Sequence, residues 1–303
     1  SFVAHVNHAA SAIHAGLCST ALVLYGSTAA SNSMAIGTGG TGASKDPGLA
    51  FTAPYGMTTV GSYAMYANLH MQTYGTTSEQ LAQIAVTMRH HAGLNPLAKM
   101  RAPITVDDVL ESRMISRPLH LLDCCIISDG GGAVIVTSLE RAKDLRSQPV
   151  SLLGCGEAVQ HQGVGDSDLL TIAAKQSGST AMKMAGIKHA DIDLAMIYDS
   201  FTITVLATLE NLGFCEPGDG GDFVGDGGIA IGGLLPVNPD GGGLSSNHPG
   251  MRGIFLVIEA VKQLRGECGE RQVKDARVAL AHGTGGTIGD KHSGATLILG
   301  VDR

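Results

Sequence analysis

Residues 194–212 have the sequence LAMIYDSFTITVLATLENL, and this stretch decides the class of fold. The run from Leu194 to Tyr198 is apolar and has the length of a buried strand. From Thr202 to Leu212 the apolar side chains recur at helical spacing, and Gly213 follows as a helix stop. A buried strand that passes directly into a helix predicts an α/β unit.

Further strands and helices surround this unit in the second half of the chain. We predict strands over Ser151–Glu157, Arg277–Ala281 and Ala295–Leu299, and helices over Thr171–Ala185 and Met251–Leu264. Alternating strands and helices imply a largely parallel sheet that is covered by helices on both faces. Ligands in such folds bind at the loops beyond the strand ends.

The first half of the chain shows weaker patterns of the same kind. We predict a helix over Ala4–Ala15, a strand over Thr20–Tyr25, a helix that a Thr77-x-x-Gln80 capping box opens, and a shorter helix from Thr105. Residues 121–137 hold two β-branched runs around a glycine turn, which predicts a hairpin or two adjoining strands. The polar stretch 141–149 is the best linker candidate, and it divides the chain into residues 1–149 and 150–303.

Composition excludes several classes of protein. The 303 residues suffice for about two domains, and hydrophobic residues make up 44% against 16% charged, which excludes a disordered chain. The net charge of -7 argues against a nucleic-acid partner, and the apolar runs are too short to span a membrane. Six cysteines without a C-x-x-C pair fit a reducing cytoplasm.

Several motifs are present but do not indicate a function. Residues 37–42 match G-x-G-x-x-G, yet no strand precedes them and Pro47 follows, so a dinucleotide site is disfavoured. The loop-like segment 27–56 is too long for an ordinary connection and predicts a covering or moving element. The histidines lack the spacing of a metal site, and no G-x-S-x-G nucleophile elbow occurs in a strand–helix context.

Three motifs of the second half combine polar side chains with glycines or a helix start. They are YDSF at residues 198–201, SNHPG at 246–250 just before the helix expected from Met251, and HGTGG at 282–286 after a strand. A histidine at a helix start, a second histidine at a strand end and backbone amides freed by glycines could stabilise an enolate or an oxyanion. Carbonyl chemistry is therefore the functional prediction. The alternative is that His248 and His282 are ordinary structural residues.

At these residues the chain resembles the thiolase superfamily, and within it the sterol-carrier or lipid-transfer type that works with a small zinc-ribbon and OB-fold subunit. Thiolases carry an Asn-Glu-x-Phe type motif, a Gly-His-Pro motif and a Cys-x-Gly-Gly-Gly type motif in the order of the three motifs above. Residues 128–133 resemble the family's Ser-Asp-Gly-Ala segment, and residues 1–26 resemble the helix and strand that follow its nucleophile loop.

The resemblance implies roles for individual residues. His248 and Asn247 would act in catalysis, His282 would replace the second thiolase cysteine, and Tyr198 would replace the motif's usual asparagine. The backbone at Thr284, Gly285 and Gly286 would help to hold an oxyanion. The nucleophilic cysteine would lie before Ser1, so none of the six cysteines is expected to be the nucleophile. Cys18, Cys124 and Cys125 lie in helix or strand patterns typical of buried packing residues.

Three functions follow from the resemblance. The first is a thiolase-type acyltransferase that makes or breaks a carbon–carbon bond in a β-keto acyl-CoA, which the retained His248 favours. The second is a retro-aldolase acting on a β-hydroxy acyl-CoA, in which a tyrosine takes the hydroxyl proton. The third is a non-catalytic carrier of acyl-CoA or lipid, or a scaffold for a catalytic partner.

The resemblance also implies architecture and partners. We expect a five-layered αβαβα arrangement of two similar halves, the first incomplete at its start, with a loop domain over about residues 27–117 that covers coenzyme A. Coenzyme A would be a substrate, with no permanently bound cofactor and no metal. A homodimer, a zinc-ribbon and OB-fold partner subunit and a cytoplasmic location are the further expectations.

Overall fold

The fold was analysed in a computed structural model of the chain. The structure describes residues 1–34, 58–161, 168–225, 227–289 and 291–301. The glycine motif at 37–42 and most of the long segment 27–56 therefore lie outside the described residues.

Helices dominate the first half of the chain. They are α1 (Phe2–His14), α2 (Thr59–Tyr74), α3 (Ser78–Gly93), α4 (Val106–Glu111) and α5 (Leu139–Lys143). The strands are β1 (Thr20–Ser27), β2 (Met114–Ser116), β3 (Leu119–His120) and β4 (Gly130–Thr137). The predicted capping box is confirmed, since Thr77 and Gln80 each accept a hydrogen bond from the other's backbone N–H at the start of α3.

The second half alternates strands with helices. Its strands are β5 (Ser151–His161), β6 (Leu194–Ile197), β7 (Val278–Gly286) and β8 (Lys291–Gly300). Its α-helices are α6 (Ala174–Ala185), α7 (Thr202–Leu212), α8 (Gly220–Gly225) and α9 (Gly253–Leu264), and a π-helical turn spans Gly242–Ser246.

The sheet of the second half is mixed, so the prediction of a largely parallel sheet is wrong. Its strand order is β5-β8-β7-β6, in which only β6 and β7 are parallel. β8 runs antiparallel to both β5 and β7. The short connection between β7 and β8 causes this, because so few residues return the chain directly as a hairpin, without a crossover helix.

The expected hairpin at residues 121–137 is also wrong. Only its second run forms a long strand, β4, while the first run contains a 3₁₀ turn over Leu121–Asp123. β4 pairs antiparallel with the distant β1, from Thr20 opposite Thr137 to Ser27 opposite Gly130. Tertiary packing chose this partner, since periodicity alone does not say which strand a strand will join.

The elements stack as four layers among the described residues. One hydrophobic cluster joins α6 and α7 to one face of the four-stranded sheet, and a second joins α1 and α9 to the other face. The ribbon of β1 and β4 packs on the far side of α1 and α9 through side chains such as Val23 and Val134. Residues from both halves of the chain therefore share the second cluster, and the boundary between residues 149 and 150 stays a prediction.

The outer face of the β1–β4 ribbon is apolar and exposed. Leu22, Leu24 and Ile135 are 59%, 58% and 68% exposed there. Four of the five layers expected from the resemblance are thus seen in the part of the chain that the structure describes.

Two glycines allow α6 to lie directly on β5. A Cβ atom at Gly156 would be 2.1 Å from the carbonyl oxygen of Ser177, and one at Gly154 would be 2.2 Å from that of Ala181. Both carbonyls belong to the backbone of α6, which a side-chain rotation cannot move away. The helix therefore approaches the sheet at a distance that no other residue permits at these positions.

Replacement of Gly156 by alanine is expected to destabilise the protein by about 3 kcal/mol, because α6 must move away from the sheet. Urea unfolding followed by circular dichroism measures this change. Gly225→Ala is the matched control, since a Cβ atom there meets nothing within 4 Å. Equal midpoints for the two variants would contradict the close approach of helix and sheet.

Candidate active site

Tyr198 stands at the carboxyl end of β6, as the sequence predicts. Its backbone N–H donates to the carbonyl oxygen of His282 at 3.0 Å, so the parallel pairing of β6 with β7 continues to this residue. Successive side chains of a strand point to opposite faces. Met196 and Tyr198 therefore point toward α1 and α9, while Ile197 points toward α6 and α7.

His248 is held in a tight segment after the π-helical turn. Its N–H donates to Ser128 Oγ at 2.9 Å, and its carbonyl oxygen accepts from the N–H of Ser128 at 3.3 Å. The hydroxyl of Tyr25 donates to the carbonyl oxygen of Pro249 at 2.6 Å. The helix expected over Met251–Leu264 is present as α9, but it begins at Gly253, two residues later than predicted, so the motif at 246–250 does not directly precede it.

Tyr198 and His248 form one hydrogen-bonded pair. The phenol oxygen Oη lies 2.9 Å from the imidazole Nε2, and the two rings stack with an angle of 21° between their planes. His248 is 2% exposed, whereas Tyr198 is partly exposed. Nδ1 of His248 is buried and has no hydrogen-bond partner among the described residues.

The surroundings of the pair keep both side chains neutral. Burial, and then the nearby charge of Arg252, lower the pKa of His248 to about 4. Desolvation by the surrounding protein raises the pKa of Tyr198 well above its usual value of 10. With both groups neutral, the bond can run in either direction; with the phenol as the donor to Nε2, the proton of the imidazole ring sits on the unpaired Nδ1. A hydrogen-bond acceptor on a bound substrate would satisfy this buried donor.

Asn247 lies beside His248 and faces a buried arginine. Its side-chain Oδ1 and its backbone carbonyl accept from Nη1 of Arg252 at 3.2 Å and 3.1 Å. Sequence reasoning missed Arg252, although it lies only two residues after the His-Pro-Gly motif. A charged side chain beside an apolar helix start is the signal that would have pointed to it.

His282 lies on the opposite face of the sheet from the pair. Its Nδ1 is 2.9 Å from Oγ1 of Thr296, whose Oγ1 is also 3.0 Å from the hydroxyl of Ser177 on α6. A side chain at Gly283 would instead point at Ser1 and Val3, on the α1 side. Burial lowers the pKa of His282 to about 3, so its imidazole is neutral. His282 and Tyr198, the partner of His248, therefore point to opposite faces of the sheet.

The expected glycine loop at residues 282–286 is part of a strand. β7 continues to Gly286, with Thr284 opposite Gly294, Gly285 opposite Ser293 and Gly286 opposite His292 in β8. The run of small residues suits a close pairing of two strands, and the strand predicted from the sequence ended five residues too early. An oxyanion role for the backbone of Thr284, Gly285 and Gly286 stays a prediction.

Five of the six cysteines have thiols with raised pKa values. Burial raises the pKa of the thiols at five positions, to about 12 at three of them; the five are Cys124, Cys125, Cys155, Cys215 and Cys268. Cys125 is partly buried and lies near Tyr198. Cys18 is exposed between α1 and β1, so its prediction as a buried packing residue is wrong. A thiol with a raised pKa is a poor nucleophile at neutral pH.

Neither a metal cluster nor a membrane span is found where the structure describes the chain. No group of three or more histidine, cysteine, aspartate or glutamate side chains there has the geometry of a metal site. None of the helices in the described ranges has the length and apolar character needed to cross a bilayer.

Comparisons with known proteins agree on one family. The model of the family "Thiolase C-terminal domain-like" matches residues 156–301. The chain is 38% identical to a steroid side-chain-cleaving aldolase of Thermomonospora curvata, over 98% of this chain and 77% of the relative. It is 41% identical to an acetyl-CoA acetyltransferase of Methanothermobacter thermautotrophicus, over 78% of this chain but 63% of that relative.

Similar solved structures belong to the same type of fold. A structure titled "Ltp2-ChsH2(DUF35) aldolase" matches 99% of this chain and 77% of the other chain, with 36% identity and a TM-score of 0.87. A sterol-carrier-type thiolase-like protein of Mycobacterium smegmatis matches the whole chain with 19% identity and a TM-score of 0.72, which is a likeness of fold. The chain spans about three fifths to three quarters of the length of these relatives.

Proposed function

Because this chain belongs to the thiolase superfamily, we propose that it acts on an acyl group carried by coenzyme A and breaks or forms a carbon–carbon bond there. The reaction that the site supports best is the retro-aldol cleavage of a β-hydroxy acyl-CoA. The observation that carries this proposal is the hydrogen bond of 2.9 Å between the Tyr198 hydroxyl and His248 Nε2.

A retro-aldol cleavage needs a base and an acid but no nucleophile. The β-hydroxyl of the substrate gives its proton to the Tyr198 oxygen while the phenol passes its own proton to His248 Nε2. The bond between Cα and Cβ then breaks, Cβ becomes the carbonyl of a ketone or aldehyde, and the electron pair stays on the enolate of the thioester. Imidazolium with a pKa near 4 is a strong acid, and it returns the proton through Tyr198 to the enolate carbon.

Thiolysis of a β-keto acyl-CoA is the second candidate. It is favoured by the retained His248 and by the similarity to an acetyl-CoA acetyltransferase. This reaction also needs a thiolate that attacks the substrate and carries the acyl group. The raised thiol pKa values at Cys124 and Cys125 do not supply one.

The test is a product analysis by mass spectrometry. The full chain is incubated with β-hydroxy acyl-CoAs, and separately with β-keto acyl-CoAs plus free coenzyme A. Release of a ketone or aldehyde with a shortened acyl-CoA supports the aldol proposal. Acyl transfer to coenzyme A together with a covalent acyl adduct on the protein would contradict the aldol proposal and support thiolysis. Tight binding of acyl-CoA without either reaction would indicate a carrier.

We further propose that a small partner subunit completes the enzyme. A similar solved structure is titled as a complex of an aldolase with a DUF35 protein, which supports a zinc-ribbon and OB-fold partner here. A homodimer, a cytoplasmic location and a covering role for residues 27–117 over coenzyme A belong to the same proposal. The product analysis is therefore run with and without such a subunit, and size-exclusion chromatography measures the assembly.

A further inference from the structure

Arg252 is buried behind the pair of Tyr198 and His248. The residue is 1% exposed at the start of α9, and its guanidinium carries a full charge away from water. A buried charge is costly unless it is paired and hydrogen-bonded. The groups that pair with Arg252 therefore indicate its structural role.

Asp240 supplies the strongest contact of the guanidinium. Nη2 of Arg252 donates to both carboxylate oxygens, at 2.8 Å and 2.6 Å. Both bonds start from this one nitrogen, so they anchor Nη2 on the carboxylate, and the contacts of Nη1 and Nε set the orientation of the guanidinium plane. The remaining nitrogens, Nη1 and Nε, are free to pair with other groups.

Those nitrogens face the two segments that carry the pair. Nη1 donates to the carbonyl oxygen and to Oδ1 of Asn247, the residue before His248. Nε lies 3.4 Å from Oδ1 of Asp199, the residue after Tyr198; this is an ion-pair contact that is too long for a good hydrogen bond.

Asp199 strengthens the connection from its own side. Its carboxylate accepts the N–H groups of Gly243 at 2.7 Å and Leu244 at 3.1 Å, within the π-helical turn that leads to His248. The end of β6 and the segment of His248 are thus joined both through Asp199 directly and through Arg252.

We propose that Arg252 is a positioning residue that holds Tyr198 and His248 at hydrogen-bond distance, by pairing with the residue after the tyrosine and the residue before the histidine. Its charge also lowers the pKa of His248, so the imidazole is neutral at neutral pH. Lysine cannot replace it, because a single ammonium lacks the planar fork that reaches three partners at once.

The test compares Arg252→Lys with Arg271→Lys in the full chain. Arg271 is the matched control, since it is also buried and pairs in two-point fashion, with Glu259 of α9 at 2.9 Å and 3.0 Å. We expect Arg252→Lys to lower kcat about a hundredfold with little change in KM, and Arg271→Lys to leave kcat unchanged. An equal loss in both variants, or none in Arg252→Lys, would overturn the proposal.

A second readout does not need activity, because the kinetic arm rests on the proposed function. In protein labelled with ¹⁵N-histidine, the signals of His248 are assigned by their absence from His248→Ala. We expect Arg252→Lys to shift them to their positions in Tyr198→Phe, and Arg271→Lys to leave them in place. Unshifted signals in Arg252→Lys would refute the positioning role, whereas an inactive parent protein refutes only the proposed function.

If Arg252→Lys does not fold, Asp199→Asn gives the same test. This variant keeps the shape of the side chain and the pairing of Arg252 with Asp240, but it removes the charge at the end of β6. We expect the same shift of the His248 signals. Signals that stay at their parent positions would overturn the proposal in this variant too.

Discussion

Replacement of His248 by alanine is expected to lower kcat/KM for carbon–carbon cleavage by about a thousandfold or more. Transfer of a proton by a positioned side chain contributes about 10² to 10⁴ in rate. The alanine variant also leaves the Tyr198 hydroxyl without its hydrogen-bond partner at 2.9 Å. Steady-state kinetics of the parent and the variant measure the loss, with circular dichroism to confirm that both are folded.

His282→Gln is the informative comparison for this variant. His282 faces α6 and is hydrogen-bonded to Thr296, so its replacement should lower the stability of the protein. Because it points away from Tyr198 and His248, kcat should stay within about threefold of the parent. The sequence motifs alone predict a loss of activity for both histidines. Near-normal turnover in His248→Ala would remove the pair from the mechanism, and a collapse of kcat in His282→Gln would restore the role that the sequence predicts.

Replacement of Tyr198 by phenylalanine is expected to lower kcat for retro-aldol cleavage about a hundredfold or more, with KM nearly unchanged. The ring keeps its stacking on His248, and only the hydroxyl that relays the proton is lost. Kinetics with a β-hydroxy acyl-CoA measure the effect. The same variant is then assayed for acyl exchange into labelled coenzyme A.

The two assays separate the candidate functions. Loss of cleavage in Tyr198→Phe supports the aldol mechanism, whereas unchanged cleavage would contradict it. Acyl exchange that persists in the variant would favour thiolysis. Tyr66→Phe is the matched control, because it removes a hydrogen-bonded tyrosine hydroxyl outside the pair, one that donates to the carbonyl oxygen of Leu170 at 2.8 Å. We expect that control to lose about 1 kcal/mol of stability and to keep its full activity.

Local signals in the sequence were sufficient for most helices and for the family. The capping box of Thr77 and Gln80 and the strand–helix unit at residues 194–212 depend on neighbours in sequence, and the structure has both. The ordered motifs around Tyr198 and His248 likewise pointed to the thiolase superfamily, which the comparisons confirm. Such features can be recognised in a single sequence because each depends on residues that are close together along the chain.

Long-range pairing was not readable in the same way. β4 pairs with β1 across more than a hundred residues of sequence, and β8 inserts antiparallel between β5 and β7. A strand's apolar pattern says which face is buried, but many partners would satisfy it equally. Only the packing of the whole core selects one of them.

The sequence by itself therefore determined the family, the α/β class and the candidates Tyr198, His248 and His282. The tertiary structure decided which of these residues meet. Successive side chains of a strand point to opposite faces of the sheet. His282 is paired with Ile197, one residue before Tyr198, so His282 faces α6 while Tyr198 faces His248. The tertiary structure also placed Arg252 in contact with both segments of the pair. A buried guanidinium is stable only when it is paired, and its partners Asp199, Asp240 and Asn247 come together only in the folded chain.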